Sequence, residues 1–227
     1  MSHCVVTFGK GYNFLRGVER IKLKCNEFNI PFVGFTEYPD GCPLHEDSPY
    51  AFKFFCINEC IKNGYTNILW LDASVIIKTD LKDVFKFMDD NGYFIIKNWH
   101  TVGDYCHDKA LKTLNITRDQ SFKIPCLQGT NFGLNFKYNF VKEFLNKMLK
   151  YSVDGITFPG SFDNKNNEAS KHPKVLGHRF DQPAMSVEAL RLGMNKWFNT
   201  EEHPWFIHDR KYVKDVNSTI TDKIMSE

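Results

Sequence analysis

An unbroken apolar run that stops at an acidic residue constrains the fold of this chain more than any other feature. Residues 68–71 read Ile-Leu-Trp-Leu and are followed directly by Asp72. A strand that is apolar on both faces is typical of the interior of a parallel sheet, because helices cover both faces of such a sheet. The run therefore predicts a central parallel strand that ends at Asp72, and open α/β sheets bind their ligands at such carboxyl ends.

Strand-like and helix-like segments alternate along the rest of the chain. The predicted strands are residues 4–8, 31–35, 67–71, 75–77, 93–97, 127–136 and 205–207. Helices are predicted around residues 15–28, 49–63, 80–88, 141–149 and 181–192, with Ser48 and Asp80 as caps of the second and third. This alternation predicts an α/β protein with a mainly parallel central sheet flanked by helices.

Composition narrows the range of partners. The formal net charge is only +2, and the basic residues are dispersed, which argues against a nucleic-acid partner. Seven cysteines without a CxxC pair fit neither a disulfide framework nor a zinc cluster, so we expect reduced thiols. Cys56 and Cys60 are spaced for two ligands on one helix, but a structural role is favoured. Because we recognise no signal peptide and no segment long enough to cross a bilayer, we expect a cytoplasmic protein without membrane insertion.

One long segment lacks the apolar residues that a core requires. Residues 161–174 are almost wholly polar, with Phe162 as the large apolar exception. Such a segment cannot bury enough surface to pack as a helix or strand of the core. We therefore expect a mobile loop or lid here.

The residues around Asp72 resemble the DxD region of GT-A glycosyltransferases. The resemblance lies in residues 68–77, which read Ile-Leu-Trp-Leu-Asp-Ala-Ser-Val-Ile-Ile. In that superfamily the two carboxylates of Asp-x-Asp hold a divalent cation, usually Mn²⁺ or Mg²⁺, against the donor diphosphate. Ser74 replaces the second aspartate here, which leaves metal dependence open. An alternative for Asp72 is a turn residue that hydrogen-bonds its own backbone.

Two later segments extend the resemblance. Asp181-Gln182 is similar to the pair that retaining glycosyltransferases place beside the donor sugar, and His208 is similar to their C-terminal metal-binding histidine. The resemblance thus implies Asp181 and Gln182 as catalytic residues. It implies Asp72, Ser74 and His208 as metal ligands. Retention is favoured, and an inverting reaction with Asp181 as general base stays open.

Further residues are expected to line the donor and acceptor sites. The expected donor-binding residues are Thr7, Phe8, Gly9, Tyr50, Lys53, Asp72, Ala73, Ser74, Arg210 and Lys211. The expected sugar and acceptor pocket comprises Asn98, Trp99, His100, Gln128, Gly129, Thr130, Asn131 and His178. Amide groups can bind sugar hydroxyls, and aromatic rings supply a stacking face. For Lys53, Arg210 and Lys211, a purely solvated position is the alternative.

The resemblance implies an organisation and a reaction. Residues 1–227 would form a single GT-A (Rossmann-like) domain, with residues 1–100 binding the nucleotide sugar, residues 101–211 forming the acceptor half and residues 212–227 a peripheral tail. The implied enzyme is a hexosyltransferase that uses a UDP-sugar, such as UDP-glucose or UDP-rhamnose, and a glycan or glycoprotein acceptor. The chain is also similar to small glycosyltransferase domains of large algal DNA viruses, which implies a capsid glycoprotein acceptor and the host cytoplasm. A sugar nucleotidyltransferase and an inactive binding module stay open as alternatives.

Overall fold

The structure, a computed structural model, describes residues 2–199 and 203–208. The described strands are β1 (His3–Phe8), β2 (Phe32–Phe35), β3 (Asn67–Leu71), β4 (Val75–Ile77), β5 (Tyr93–Thr101), β6 (Pro125–Asn135), β7 (Phe198–Asn199) and β8 (Phe206–His208). The described α-helices are α1 (Tyr12–Glu27), α2 (Phe52–Lys62), α3 (Lys82–Asn91), α4 (Asp108–Thr113), α5 (Arg118–Ser121), α6 (Asn139–Ser152) and α7 (Asp181–Arg191). Short 3-10 helices occupy Val102–Asp104 and Lys165–Asn167.

Six of the described strands form one mostly parallel sheet in the order β2-β1-β3-β6-β5-β7. β1 runs parallel to β2 and β3, and β5 runs parallel to β7. β6 runs antiparallel to both of its neighbours, β3 and β5. β4 and β8 form a separate antiparallel pair. The predicted α/β class with a mainly parallel sheet flanked by helices is confirmed, and β6 is the strand that departs from the parallel direction.

The central strands alternate their side chains between two apolar cores. On β3, Ile68 and Trp70 pack with residues of α2, α6 and α7, whereas Leu69 and Leu71 pack with residues of α1 and α3. All four side chains are fully buried. Burying one large apolar side chain contributes roughly 1.5–3 kcal/mol, so this strand is held firmly from both faces. Asp72, the next residue, is thereby held at the carboxyl end of this central strand.

The second helix begins later than predicted. Residues 48–51 form turns and α2 begins at Phe52. Tyr50 has a φ of 66°, in the left-handed region, which cannot continue into a helix. Ser48 therefore does not cap the helix, and among the described residues its buried hydroxyl has no hydrogen-bond partner.

The polar segment at residues 161–174 has hydrogen bonds of its own. Asn164 donates from Nδ2 to the carbonyl of Ser170 at 2.9 Å, and its Oδ1 accepts the backbone N–H groups of Ala169 and Ser170 at 2.9 and 3.1 Å. Ser170 Oγ donates to Asp108 Oδ1 at the start of α4, at 3.0 Å. The segment is thus a loop organised around Asn164, and its movement as a lid stays a prediction.

Within the described part of the chain, no helix has both the length and the apolar character needed to cross a bilayer. The seven cysteines are free thiols. Cys56 and Cys60 are both buried in the core that α2 shares with the sheet, which is the structural position favoured above.

Two adjacent histidines, His107 before α4 and His178 before α7, both contact the loop after α6. The rings of His107 and His178 lie 4.2 Å apart, and His178 is fully buried. His178 Nε2 lies 3.1 Å from the carbonyl of Thr157, and Nδ1 accepts the backbone N–H of His107 at 3.4 Å. Because a carbonyl only accepts, Nε2 carries the proton and the ring is neutral. Burial, and then repulsion from His107, lower the pKa of His178 to about 3.

We expect acid to destabilise the fold through His178. In the unfolded chain the pKa of His178 is about 6.5, so between about pH 6.5 and pH 3 the imidazole is protonated in the unfolded state and neutral in the folded state. Stability should fall with falling pH across this window, with a slope that approaches about 1.4 kcal/mol per pH unit below pH 6, which gives a loss of roughly 1–2 kcal/mol from pH 6.5 to pH 5. Urea unfolding of wild type and His178→Gln at both pH values measures this. The variant should lose less on acidification, and an equal loss would show that another group titrates.

Candidate functional site

The carboxyl ends of β1, β3 and β5 meet the middle of β6 around a cavity of about 680 Å³. The antiparallel direction of β6 carries residues 128–130 to this edge, where the backbone N–H of Asp72 donates to the carbonyl of Thr130 at 2.7 Å. Residues at the N-terminal ends of α2 and α7 complete the lining. A volume of this size suits a small-molecule ligand.

Most of the predicted site residues line this cavity. They come from separate segments of the chain: Phe8, Gly9, Tyr50, Lys53, Asp72, Ala73, Ser74, Asn98, Trp99, His100, Gln128, Gly129, Thr130, Asp181, Gln182 and His208. The side chains of Thr7, Asn131 and His178 are buried and do not reach the lining. Thr7 on β1 and Asn131 on β6 point away from the cavity because successive side chains of a strand face opposite sides, and their neighbours Phe8 and Thr130 face the cavity. Arg210 and Lys211 lie outside the described residues.

A buried lysine links the two candidate carboxylates. Lys53 Nζ lies 2.9 Å from Asp181 Oδ2 and 3.7 Å from Asp72 Oδ1, and it donates to the carbonyl of Gly129 at 2.8 Å. The side chains of Lys53 and Asp181 are only 2% and 1% exposed, whereas that of Asp72 is 20% exposed. The alternative of a solvated position for Lys53 is therefore wrong. Trp70 Nε1 also donates to Asp72 Oδ1, at 2.8 Å.

The charges of this cluster do not cancel. Burial raises the pKa of Asp181 and of Asp72, and the positive charge of Lys53 opposes the rise at both carboxyls. Burial also opposes the charge of Lys53, but Asp181 and Asp72 outweigh it, and the pKa of Lys53 is raised. Two carboxylates thus share one ammonium group. When both are ionised, the floor of the cavity has a negative charge that suits a cation or the hydroxyl donors of a sugar.

The turn after β3 is supported from beneath by two residues of α1. Arg20 is buried and donates from Nη2 to the carbonyls of Ala73 and Val75, at 3.0 and 3.1 Å. Gly17, one turn earlier, lies so close to Ala73 that a Cβ at this position would be 2.1 Å from its carbonyl oxygen. The two contacts hold residues 72–75 against α1. This support is absent from the predicted site, although an arginine on the buried face of an amphipathic helix is a signal that could have indicated it.

Gly129 on β6 and a hydrogen-bonded pair of amide side chains lie beside the Lys53–Asp181 ion pair. A Cβ on Gly129 would lie 2.9 Å from Lys53 Nζ and 3.0 Å from Asp181 Oδ2, so a larger residue here would displace the ion pair slightly. Beside it, Asn98 Nδ2 donates to Gln182 Oε1 at 3.1 Å. The Gln182 amide is thereby oriented by β5 at the start of α7.

Ser74 and His208 lie next to each other. β8 pairs with β4 so that His208 is opposite Val75, and Ser74 Oγ lies 2.9 Å from His208 Nε2. Residues 2–199 and 203–208 contain no group of three or more His, Cys, Asp or Glu side chains that could hold a metal ion. Mg²⁺, however, is often held by one or two carboxylates together with substrate phosphates. Asp72, Ser74 and His208 all line the cavity, so a carboxylate, a hydroxyl and an imidazole are available to such a cation.

Two residues with unusual backbone conformations flank the ion pair. Tyr50, before α2, has a φ of 66°, and Phe180, before α7, has a φ of 54° with a ψ of −109°. Their ring centroids are 5.4 Å apart, and Lys53 Nζ lies 4.5 Å from the centroid of the Tyr50 ring. Such conformations cost about 1–3 kcal/mol each and persist where the surrounding structure enforces them. The backbone is therefore strained at Tyr50 and Phe180, just before the helices that place Lys53 and Asp181 at the cavity.

Aromatic and basic residues that the sequence analysis did not select also line the cavity. They are Lys10, Phe14, Tyr38, His45, Phe52, Phe162, Arg179 and Phe180. On the β1 side, the Phe8 ring stacks on Phe52 at 4.5 Å and lies 5.0 Å from Tyr38. Most of these residues lie in loops or at helix starts, and no periodic pattern in the sequence shows where such segments return to the sheet.

Neither a protein-family model nor a curated protein matches the chain. Among solved structures it is similar to a glycosyltransferase involved in the glycosylation of the major capsid of PBCV-1, with 12% identity and a TM-score of 0.39 over 64% of this chain and 67% of that one. It is also similar to mouse xyloside xylosyltransferase 1, with 9% identity and a TM-score of 0.43 over 84% and 82% of the two chains. A third similar structure is the glycosyltransferase GlyE of Streptococcus pneumoniae TIGR4, with 14% identity and a TM-score of 0.40; the match covers 87% of this chain and 45% of that one.

Proposed function

We propose that this protein is a glycosyltransferase that moves a hexosyl or deoxyhexosyl group from a UDP-sugar to a glycan or glycoprotein acceptor. The observation that carries the proposal is the meeting of Asp72 and Asp181 on the buried ammonium group of Lys53, at the floor of the cavity. Aromatic walls suit a nucleobase and a sugar ring, and amide and carboxylate groups suit sugar hydroxyls. UDP-glucose or UDP-rhamnose is the donor that the sequence resemblance favours.

The strand order suggests how donor and acceptor divide the cavity. β1, β3, β6 and β5 follow one another in the sheet. Neighbouring strands lie about 4.8 Å apart, so the edge from β1 to β5 spans about 14 Å. The nucleotide fits beside Phe8 and Gly9 at the end of β1, the diphosphate beside Asp72, and the sugar beside Asp181. The acceptor then enters from the β5 side.

A divalent cation, Mn²⁺ or Mg²⁺, is part of this proposal. Asp72, Ser74 and His208 would hold it together with the donor diphosphate. When bound, the cation neutralises the charge that develops on the leaving diphosphate. Arg20 and Gly17 contribute indirectly, because they hold the turn that presents Asp72 and Ser74.

Asp181 and Gln182 supply the chemistry at the sugar. Lys53 offsets part of the cost of an ionised Asp181 in a buried position, and a carboxylate there stabilises positive charge that develops at the anomeric carbon. The Gln182 amide, oriented by Asn98, can bind a sugar hydroxyl. We propose retention of configuration; a product of inverted configuration would instead assign Asp181 as the general base for the acceptor hydroxyl.

A thermal-shift experiment tests the donor site. Wild type, Asp72→Ala and the exposed control Asp119→Ala are heated with UDP or UDP-glucose, with and without MnCl₂. A ligand at 100 times its Kd stabilises by about 2.7 kcal/mol, which for a chain of this size is a Tm increase of roughly 5–10 °C. We expect this increase for wild type and Asp119→Ala and its loss in Asp72→Ala. No increase with any nucleotide in wild type would contradict the proposal.

Product analysis separates the alternatives. Release of UDP from UDP-glucose, with transfer or hydrolysis of glucose, supports the transferase. Binding without turnover would identify a binding module, as the serine at position 74 suggests. Formation of UDP-glucose and pyrophosphate from UTP and glucose 1-phosphate would identify a nucleotidyltransferase.

A further inference from the structure

A row of rings extends along the β5 side of the cavity. The ring centroids of Trp99 and His100 lie 3.6 Å apart, and those of His100 and Tyr105 lie 4.5 Å apart. Trp99 lines the cavity although its side chain is 83% exposed. An indole in this position presents a flat apolar face to solvent, and the C–H face of a sugar ring can cover it.

Arg179 also lines the cavity, and its guanidinium group lies between two aromatic rings. Its guanidinium carbon is 4.4 Å from the centroid of Tyr105 and 4.5 Å from that of Phe162. In the part of the chain that the structure describes, Arg179 forms no ion pair, and its buried Nε has no hydrogen-bond partner. Two rings thus hold a planar cation at the cavity with its hydrogen-bonding capacity unused. Carboxylates and phosphates are the groups that such a guanidinium binds best.

From these two observations we propose that the β5 side of the cavity binds an acidic sugar. The sugar ring stacks on Trp99, and its carboxylate or phosphate pairs with Arg179. This sugar is the acceptor, and that assignment rests on the proposed glycosyltransferase function. The binding of an anionic sugar at this place rests only on the geometry of Trp99 and Arg179.

The charge distribution explains why Arg179 would determine specificity. Asp72 and Asp181 make the floor of the cavity negative, so an anionic sugar is repelled unless a cation faces its acidic group. Lys53 cannot serve, because it is buried and already contacts both carboxylates. Arg179 therefore draws the acidic group to the rim and turns the hydroxyls of the sugar toward Asp181. A neutral sugar lacks this orientation.

Binding of simple glycosides tests the proposal without any donor. The probes are methyl β-glucuronide, methyl β-glucoside 6-phosphate and neutral methyl β-glucoside, titrated by NMR and by the fluorescence of the exposed indole. We expect wild type to bind at least one anionic glycoside about tenfold more tightly than the neutral one, the value of one charge-assisted contact. Arg179→Gln should abolish this preference, and Trp99→Ala should weaken the binding of all three probes. The uronide and the phosphate show which acidic group is preferred.

Matched variants outside the cavity lining serve as controls. Tyr12 is an exposed aromatic residue, and the guanidinium carbon of Arg16 lies 5.9 Å from the centroid of its ring. Tyr12→Ala and Arg16→Gln should bind the probes as wild type does. Equal affinity of wild type for all three probes would overturn the proposal. A loss of UDP affinity in Arg179→Gln as large as the loss of glycoside affinity would also overturn it, because Arg179 would then serve the donor. Failure of the proposed function itself would show separately, as absence of UDP and UDP-glucose binding.

Discussion

Asp181→Asn is expected to lower the rate of sugar transfer by about 100- to 1000-fold, with little change in the affinity for UDP. Asparagine keeps the shape of the side chain but removes the negative charge that faces the developing positive charge at the anomeric carbon. Losses of this size follow when one preorganised electrostatic group is removed from an active site. UDP affinity should persist because the proposed division of the cavity puts the donor diphosphate at Asp72 and not at Asp181. Steady-state UDP release, with kcat and KM determined separately, measures the effect.

The matched control for this variant is Asp119→Asn, which changes an exposed carboxylate outside the cavity lining. It should leave kcat and KM as in wild type. A normal kcat in Asp181→Asn would remove Asp181 from the catalytic residues and leave it a structural partner of Lys53. A reduced kcat together with an equally weakened UDP complex would place Asp181 at the diphosphate, in conflict with the division of the cavity proposed above.

Much of this site could be predicted because its main residues follow regular elements. Asp72 ends an apolar strand, and Asp181 begins a helix whose apolar period and glycine stop are both visible in the sequence. The carboxyl ends of parallel strands share one edge of a sheet, so placing Asp72 there required only the strand and its direction. The same argument holds for Phe8, at the end of the first strand.

The rest could not be predicted, because it depends on contacts between distant segments. Strand alternation does not reveal that β6 runs antiparallel, yet this direction brings Gly129 to the ion pair. The helical pattern around Lys53 allowed a solvated face equally well, and only the approach of Asp181, 128 positions later, shows that the charge is buried and paired. The left-handed conformation of Tyr50 violates the local preference for a helix start at Ser48-Pro49. Such local conflicts are expected where tertiary contacts position a functional group.

Lys53→Met should destabilise the fold by about 3–5 kcal/mol, because it leaves the carboxylate of Asp181 buried without its cation. For a chain of this size the Tm should fall by roughly 6–20 °C. Lys62→Met is the matched control: the Lys62 side chain is 62% exposed and pairs with Glu59 on the same helix, so its loss should cost less than about 1 kcal/mol. Urea unfolding at neutral pH compares the two variants with wild type.

The decisive measurement adds Asp181→Asn to Lys53→Met. If the cost of the single variant comes from an unpaired buried charge, a neutral amide at position 181 removes that charge, and the double variant should regain most of the lost stability. Transfer activity should not return with it, since the negative charge beside the sugar is still missing. The two readouts would then separate, with stability following the balance of charge between positions 53 and 181 and catalysis following the carboxylate itself. A double variant as unstable as Lys53→Met would show instead that the alkyl packing of the lysine, and not its charge, holds the cavity floor together.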